Sequence, residues 1–337
     1  MIFHKWAGFF HPKKWYSNFI KIIDLTRVFF NDFLIYFKHS RTFLDKSFSP
    51  PSQELAQIYM FRLCHSLERD LVQDKLSNLT TKKAYLLLKR TKCYLSEYGI
   101  DLASQVSLDV LFEYNEYYET KKTNNGRFFQ DITALRDKFP RTWQEKKGGT
   151  ITIDKSNITT LNYRNFERFV NSRHSVRKFA VGEVDINLIK RAVSLSRKSP
   201  SACNRQAVKV YILANECIKK EVLKLQGGND GFGEQADKVL LITTNLIHYV
   251  NDYERWLMYI DGAMFAMTLV YSLHSLGLGS CCLNMCFDRK RTQRMKRILK
   301  INSSEIPIIL ILVGRLPNRL TIPCSQRKEL EKILEII

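Results

Sequence analysis

The chain has 337 residues, more than twice the usual domain length of about 150, so we expect two domains that each bury a core. Hydrophobic residues make up 45% and charged residues 26%, which excludes a disordered chain, a collagen-like repeat and a polytopic membrane protein. The 53 Lys and Arg outnumber the 33 Asp and Glu, and the resulting net charge of +20 is spread over both halves. This excess indicates an anionic partner, but composition does not choose between nucleic acid, a phospholipid surface and a phosphorylated ligand.

The cysteines predict a reducing compartment. None of the eight forms a CxxC pair, and the cluster Cys281, Cys282 and Cys286 has no histidines at the spacing of a zinc site. We therefore expect no metal. The first 15 residues lack the continuous apolar run of a secretion signal. Together these features predict a cytoplasmic protein with reduced cysteines.

The first predicted element is an amphipathic helix over residues 19–37. Lys21, Asp24, Arg27 and Asp32 interrupt its apolar run, which is too charged to span a bilayer. We expect this helix to pack against its own domain, because its two aspartates oppose an anionic surface. A membrane-surface helix stays open as the alternative, since residues 1–46 hold eight Lys or Arg against three Asp, interleaved with aromatic residues.

A mostly helical region follows, up to about residue 160. Apolar spacing predicts helices over 53–98, with a break capped near 79–81, and over 106–120. A basic run and a Gly148-Gly149 linker come next. His65 and Glu68 are three residues apart and share a helix face, which favours a surface or interdomain polar pair over a catalytic acid–base couple. We assign residues 1–160 to a helical extension.

The pattern changes near residue 165, where strands begin to alternate with helices. Helices are predicted over 165–171, 185–198 and 256–276, and strands over 208–214, 239–244 and 306–313. This order predicts an α+β or α/β core of the size of one domain, residues 161–337.

Two polar segments of this core are candidate binding elements. The turn of Arg173, His174, Ser175 and Arg177 suits a phosphate, since guanidinium groups donate in a bidentate fork, although a solvated basic loop has the same composition. The loop 200–206 supplies hydroxyl and amide groups that suit the edge of a planar heterocycle. The two glycine-rich nucleotide-binding motifs, G-x-G-x-x-G and G-x-x-x-x-G-K-[ST], do not occur.

Five segments in register resemble the nitroreductase family, flavin-dependent oxidoreductases that bind FMN at a homodimer interface. They cover roughly residues 165–335 and are similar to the family's opening motif, its Pro-Ser loop, its central helix, its last core strand and its closing segment. In this chain they read SRHSVRKF (172–179), SPSACNRQ (199–206), DGA to LGLGS (261–280), ILILVG (309–314) and RKELE (327–331). The resemblance implies an α+β fold with a three-layer α/β/α core, to which the helical N-terminal region is added.

The resemblance also implies roles for individual residues. It assigns contacts with the phosphate and ribityl chain of FMN to Arg173, His174, Ser175, Arg177 and Arg327. Contacts to the isoalloxazine edge and the ribityl hydroxyls fall to Pro200, Ser201, Asn204 and Gln206. Backbone donors near the flavin N5 fall to Cys281, Cys282, Leu283 and Asn284, with the two cysteines expected as small core residues at a helix exit.

The implied activity is two-electron hydride transfer from NADH or NADPH, through flavin N5, to a small acceptor. No side chain is assigned as a general acid or base, because the flavin carries the redox chemistry. We expect a homodimer with the 256–276 helix at its interface, and no nucleic-acid partner.

The substrate side departs from the family pattern. Ala207 and Val208 stand where the family has Pro-Trp, so the aromatic residue is missing. FMN binding is therefore the stronger implication, and the acceptor stays open. Two alternatives remain: a flavin-binding relative of dehydrogenase or dehalogenase type, and a non-catalytic basic scaffold or membrane-surface protein.

Overall fold

The computed structural model describes residues 12–39, 52–73, 77–120, 126–158 and 161–337. The first seven helices of the described residues are α1 Pro12–His39, α2 Gln53–Val72, α3 Asn78–Tyr98, α4 Leu102–Thr120, α5 Arg127–Lys138, α6 Lys155–Ile158 and α7 Tyr163–Ser172. The remaining helices are α8 Ile186–Ser196, α9 Glu216–Gln226, α10 Leu257–Ser275 and α11 Arg289–Leu299. The strands are β1 Val208–Leu213, β2 Lys238–Asn245, β3 Leu278–Asn284 and β4 Glu305–Arg315.

Helices α2 to α5 form a bundle with its own apolar core. Leu67, Leu87, Leu108 and Leu111 are fully buried in it, together with Ile132 from α5. The break between α2 and α3 lies earlier than predicted. Ser77 is the N-cap of α3, and its hydroxyl accepts from the Thr80 N–H at 3.3 Å while Thr80 Oγ1 accepts from the Ser77 N–H. This reciprocal capping starts the second helix at residue 78 rather than after residue 81.

The C-terminal part contains a four-stranded antiparallel sheet in the order β1-β2-β4-β3. Side chains of β2 alternate between its two faces. Val239 and Leu241 join the core beneath α9 and α11, whereas Leu240 and Ile242 join the core beneath α8 and α10. Helices therefore cover both faces, and the predicted α+β class with a three-layer core is confirmed.

The sequence prediction missed α5, α9, α11 and β3. Helix α11 holds six basic residues and is fixed in the sheet domain by one fully buried side chain, Met295. Strand β3 was expected to be the exit of the preceding helix, since Gly277 is typical of a helix end. Its seven residues pair along β4 from Leu278 opposite Arg315 to Asn284 opposite Ile309, a long-range interaction that local propensity does not reveal.

Helix α1 contacts the rest of the chain near its C-terminal end. Ile35 and Tyr36 pack against Leu246 and Tyr249, and Tyr36 donates to the Asn251 carbonyl at 2.5 Å. Between residues 22 and 37, most of the large apolar side chains of α1 are exposed. The expected packing of this helix on the protein therefore holds for its C-terminal turns and leaves a long apolar stripe uncovered.

One helix in the described part of the chain is long and apolar enough to cross a membrane by length and composition. It covers Tyr253–Ser275 and includes α10. Half of its most apolar 18-residue stretch is buried inside the protein. The burial of Phe265, Leu269 and Leu273 against the sheet explains its apolar composition.

Candidate functional site

The arginine turn begins where α7 ends. Ser172 closes that helix, and residues 173–177 then run beside β3, where the Val176 N–H donates to the Ser280 carbonyl at 2.9 Å. Ser175 forms an isolated bridge with Ser280. Because Val176 is buried against the sheet, the side chains on either side of it point away from the core. The turn is thus anchored on a sheet edge and presents its polar groups outward.

A cavity of about 70 Å³ collects the predicted phosphate ligands. Its walls are Arg173, His174, Ser175 and Arg177 from the turn and Ile322, Pro323, Ser325 and Arg327 from the C-terminal segment. Three arginines, a histidine and two serines therefore face one space, and no acidic side chain lines it. The C-terminal segment has no regular secondary structure there, so Pro323 and Ser325 carried no sequence signal.

The electrostatics of this cavity favour an anion. Among the described residues of the C-terminal part, no carboxylate forms an ion pair with Arg173, Arg177 or Arg327. The Arg177 guanidinium lies over the Phe232 ring at 5.8 Å from its centroid. Guanidinium groups gathered without a carboxylate partner repel one another until an anion neutralises them.

A second cavity of about 180 Å³ adjoins the first and shares Arg173 and His174 with it. Its other walls include Leu278, Leu316 and Leu320, so it is less polar. Ser172 and His274 are hydrogen-bonded at its rim, 2.8 Å apart. Burial and the neighbouring positive charge of Arg173 lower the pKa of His274. This histidine is therefore held neutral near pH 7 and adds a polar group without adding charge.

The segment from Cys281 to Asn284 lies on β3, beside the arginine turn. Cys281 and Leu283 are buried in the sheet core, whereas Cys282 and Asn284 are exposed on the opposite face. Cys282 is thus not a core residue at a helix exit, because the strand alternation turns its side chain outward. Burial raises the pKa of Cys281 despite the nearby Arg177, so this thiol is protonated near pH 7.

The loop of Pro200, Ser201, Asn204 and Gln206 is held in an uncommon backbone conformation. Cys203, Asn204 and Gln206 have φ values of 51°, 52° and 52°, in the left-handed region that non-glycine residues rarely adopt. The Ser201 hydroxyl accepts from the Gln206 N–H at 3.1 Å, and the Ala202 N–H donates to the Asp261 carboxylate of α10 at 3.2 Å. Asn204 and Gln206 remain exposed. The loop is therefore constrained by its neighbours and offers its amides to solvent.

Arg205 is the structural centre of this loop, and the sequence prediction missed it. Its side chain is buried and binds both carboxylate oxygens of Glu254, at 2.9 and 3.2 Å. It also donates to the carbonyls of Ala202 and His248, at 2.9 and 2.7 Å. A single arginine in a polar loop gives no sequence signal for such a network, because Glu254 lies in a separate turn before α10.

The helical region contacts the same loop. Helix α2 packs against the turn at residues 202–204. Glu54 of α2 accepts from the Asn245 amide at 3.0 Å and lies 3.4 Å from His248 Nε2. The other ring nitrogen, Nδ1 of His248, donates to the Arg205 carbonyl at 2.9 Å. A chain of polar contacts thus connects α2 to the backbone of the loop.

Within one chain, the loop and the arginine cavity are apart. The loop is bonded to Asp261 near the start of α10, whereas the arginine turn meets His274 near its end. At 1.5 Å per residue these two positions of α10 are about 20 Å apart. None of the loop residues lines either cavity. One chain brings together the predicted phosphate ligands with Leu278 and Ser280 of β3, but neither the predicted Pro200–Gln206 ligands nor the predicted 281–284 segment lines these cavities.

Among the described residues, no group of three or more His, Cys, Asp or Glu is arranged to hold a metal ion. All eight cysteines are free, and four of them are exposed: Cys217, Cys282, Cys286 and Cys324.

Comparison with known proteins agrees with the placement of these motifs. The model of the nitroreductase family matches residues 170–228 and 218–315, which include the arginine turn, the 200–206 loop, α10 and the whole sheet. Residues 170–315 belong to the nitroreductase family. The match leaves residues 1–169 outside this nitroreductase-family domain. No curated protein matches the sequence.

Several solved structures resemble this chain over about half of its length. A nitroreductase family protein of Streptococcus pneumoniae is 20% identical, covers 51% of this chain and 100% of its own, and has a TM-score of 0.44. A nitroreductase-like protein of Streptococcus mutans is 19% identical, covers 52% and 98%, and has a TM-score of 0.45. An FMN-dependent nitroreductase of Clostridium difficile is 17% identical, covers 50% and 96%, and has a TM-score of 0.43.

Proposed function

We propose that the nitroreductase-family domain binds FMN and works in the cytoplasm as an NAD(P)H-dependent oxidoreductase that reduces a small acceptor. This proposal rests on the cavity that is lined by Arg173, His174, Ser175, Arg177 and Arg327. A dianionic phosphate is the natural occupant of such a cavity, because it accepts several charge-assisted hydrogen bonds at once.

The residues of this domain suit the rest of FMN as well. Arg173, Arg177 and Arg327 would bind the phosphate, with Ser175 and His174 beside it, and Ser280 of β3 borders the adjoining cavity of about 180 Å³. The exposed Asn204 and Gln206 amides would donate to and accept from the polar edge of the ring system. FMN, when bound, supplies the two-electron hydride chemistry. The chain's own residues bind it, orient it and neutralise its charge.

We further propose that the working form is a homodimer with composite sites. The separation along α10 keeps the 200–206 loop away from the arginine cavity of the same chain, so a second copy would supply the loop. Exposed apolar residues along α10 and at its N-cap support this arrangement, since Trp256, Ile260 and Met267 recur at helical spacing and are 40–57% exposed. The extended C-terminal end is also apolar, and Ile336 is 92% exposed.

The acceptor side of the site is less defined. Val208, which stands where the family has its aromatic residue, is smaller and partly buried against the sheet core, so the domain lacks an aromatic wall at this position. A flavin-binding relative with a different reaction would keep the same phosphate cavity. Reduction of the bound flavin by NADH or NADPH distinguishes the reductase from these other flavin enzymes.

The test is to purify the full chain and record its visible absorbance, then to add NADH or NADPH without oxygen. We expect a yellow protein whose flavin absorbance bleaches with at least one nicotinamide. Bound flavin that neither nicotinamide bleaches would exclude the reductase and leave the alternative flavin chemistry. Failure to bind added FMN would contradict the whole proposal.

A further inference from the structure

Helix α1 presents an apolar stripe that is largely exposed between residues 22 and 37. Its members are 39–61% exposed, and from residue 29 onward they are spaced three and four residues apart: Ile22, Ile23, Phe29, Phe30, Phe33, Leu34 and Phe37. At 100° per residue they lie on one side of the helix. Phe33 stacks with Phe30 and Phe37 at centroid distances of 6.4 and 5.8 Å, so the rings form a continuous surface. An apolar surface of this size on a soluble chain indicates an interaction site.

The other side of α1 holds the helix on the protein. Ile35 and Tyr36 pack beside Tyr249, and Asn31 accepts from the Arg289 guanidinium at 3.0 Å. Asp32 lies outside the stripe on the helical wheel, and partial burial raises its pKa. Asp32 is exposed, but it lies outside the apolar stripe, on the opposite side of the stripe from Arg27 and Lys38.

A strongly basic helix adjoins α1. Helix α11 contains six Lys or Arg and no acidic residue. It starts at Arg289, which binds α1, and Lys290, Arg291, Arg294 and Arg297 are exposed along it. On α1 itself, the exposed Arg27 and Lys38 flank Asn31 on the same side of the helical wheel. Positive charge thus borders the apolar stripe along one edge.

We propose that α1 and α11 together form a docking surface for an anionic phospholipid membrane. The stripe would enter the boundary between headgroups and acyl chains, and the arginines and lysines beside it would bind headgroup phosphates. A second copy of the chain is a poorer occupant, because apposing two such surfaces would bring basic helices of like charge together. This proposal is independent of the FMN site.

The experiment measures co-sedimentation of the full chain with phosphatidylcholine vesicles, with and without phosphatidylglycerol, at physiological salt. One variant removes two rings of the stripe, Phe30→Ser with Phe33→Ser, and a second removes charge, Lys290→Gln with Arg291→Gln. Val72→Ser with Leu79→Ser is the matched control, since these residues are 73% and 63% exposed on other helices. All six side chains are exposed, so the fold is not at risk.

We expect binding to anionic vesicles that weakens with salt, and much weaker binding to neutral ones. The stripe variant should bind at least about tenfold more weakly, the charge variant should lose preference for anionic lipid, and the control should match the unmodified chain. Absence of binding, or an equal loss in the control, would overturn the proposal. A lower mass of the stripe variant in lipid-free solution would also overturn it, because the stripe would then cover a second copy.

Discussion

At the scale of residues, arginines in this protein have two opposite environments. Arg173 and Arg177 face a cavity, have no carboxylate partner among the described residues of the domain and are available to an external anion. Arg205 is buried, and its guanidinium donates to the Glu254 carboxylate and to two backbone carbonyls. These hydrogen bonds stabilise the strained loop. The same side chain thus binds a ligand where charge is left unpaired and stabilises structure where it is paired.

The double variant Arg173→Ala with Arg177→Ala tests the ligand role. We expect a loss of FMN affinity of roughly a hundredfold or more, since each hydrogen bond to a charged group contributes roughly 1.5–3 kcal/mol. Equilibrium dialysis against FMN measures it. Arg164→Ala with Arg191→Ala, two exposed arginines outside the cavity, is the control and should keep normal affinity. Equal affinities in both double variants would remove the phosphate from this cavity.

Glu254→Ala tests the structural role. The change leaves Arg205 buried without its counter-charge, so we expect the free energy of unfolding at neutral pH to fall by about 3–5 kcal/mol. Glu145→Ala removes an exposed carboxylate that pairs with Lys147, and should change it by about 1 kcal/mol or less. Chemical denaturation of both variants provides the comparison. A small effect of Glu254→Ala would mean that water reaches Arg205.

The stability of the same ion pair should depend on pH. Burial alone would raise the pKa of Glu254, but hydrogen bonds from Arg205 and the Val250 N–H lower it below its ordinary value of 4.5. A lowered pKa means that the unfolded chain takes up the proton first. The stability from this carboxylate is therefore present above about pH 4.5 and lost as the pH falls further. The difference between the unmodified chain and Glu254→Ala should shrink over that acid range, and a difference that stays constant would contradict it.

At the scale of elements, α10 organises the domain. One side packs on the sheet through Phe265, Leu269 and Leu273, and Gly262 permits a close approach there, since a Cβ would lie 2.9 Å from the Ile308 side chain. Its start binds the 200–206 loop and its end meets the arginine turn. Its remaining apolar side is exposed. One helix therefore sets both the spacing of the two ligand groups and the surface available to a partner.

Ile260→Arg tests the proposed dimer. Ile260 is 48% exposed on α10, and a buried unpaired charge at a two-fold interface would occur twice, so we expect the variant to sediment as a monomer. Ile218→Arg on α9, where the side chain is 37% exposed in the opposite layer, should keep the dimer. FMN retention should fall together with the dimer if the site is composite. A monomeric unmodified chain with FMN bound would disprove the interface.

At the scale of the whole molecule, the bundle and the sheet domain have separate apolar cores. The bundle core uses residues between 56 and 143, and the two sheet cores use residues between 176 and 320. The contacts between the two parts include the polar ones from Glu54 to Asn245 and His248. We propose a domain boundary near residue 160 on this basis, because each part buries its own hydrophobic surface.

Expression of residues 161–337 alone tests the boundary. We expect cooperative thermal unfolding and a native near-ultraviolet circular dichroism spectrum, because the sheet keeps helices on both faces. FMN binding should be weaker than in the full chain, since the loop loses its support from α2. A fragment without cooperative unfolding would show that the bundle is an integral part of the domain.

Local sequence patterns were sufficient for most elements and for the family motifs. The apolar runs of β1, β2 and β4 and the spacing in α2, α4, α8 and α10 indicate strands and helices because burial imposes a period on neighbouring residues. The arginine turn and the 200–206 loop were also recognisable, since their polar groups are contiguous. The start of α3 and the strand character of β3 were not, because they depend on a capping pair and on pairing with β4.

Tertiary structure alone decided which of these groups meet. It joined Arg173 and Arg177 to Arg327 across a long stretch of chain, buried Arg205 with Glu254, and kept the 200–206 loop away from the arginines. It also placed α11 beside α1 and left the stripe of α1 exposed. The physical reason is the range of the interactions: periodicity reports on residues a few positions apart, whereas cavities, ion pairs and exposed faces depend on contacts between residues distant in the chain.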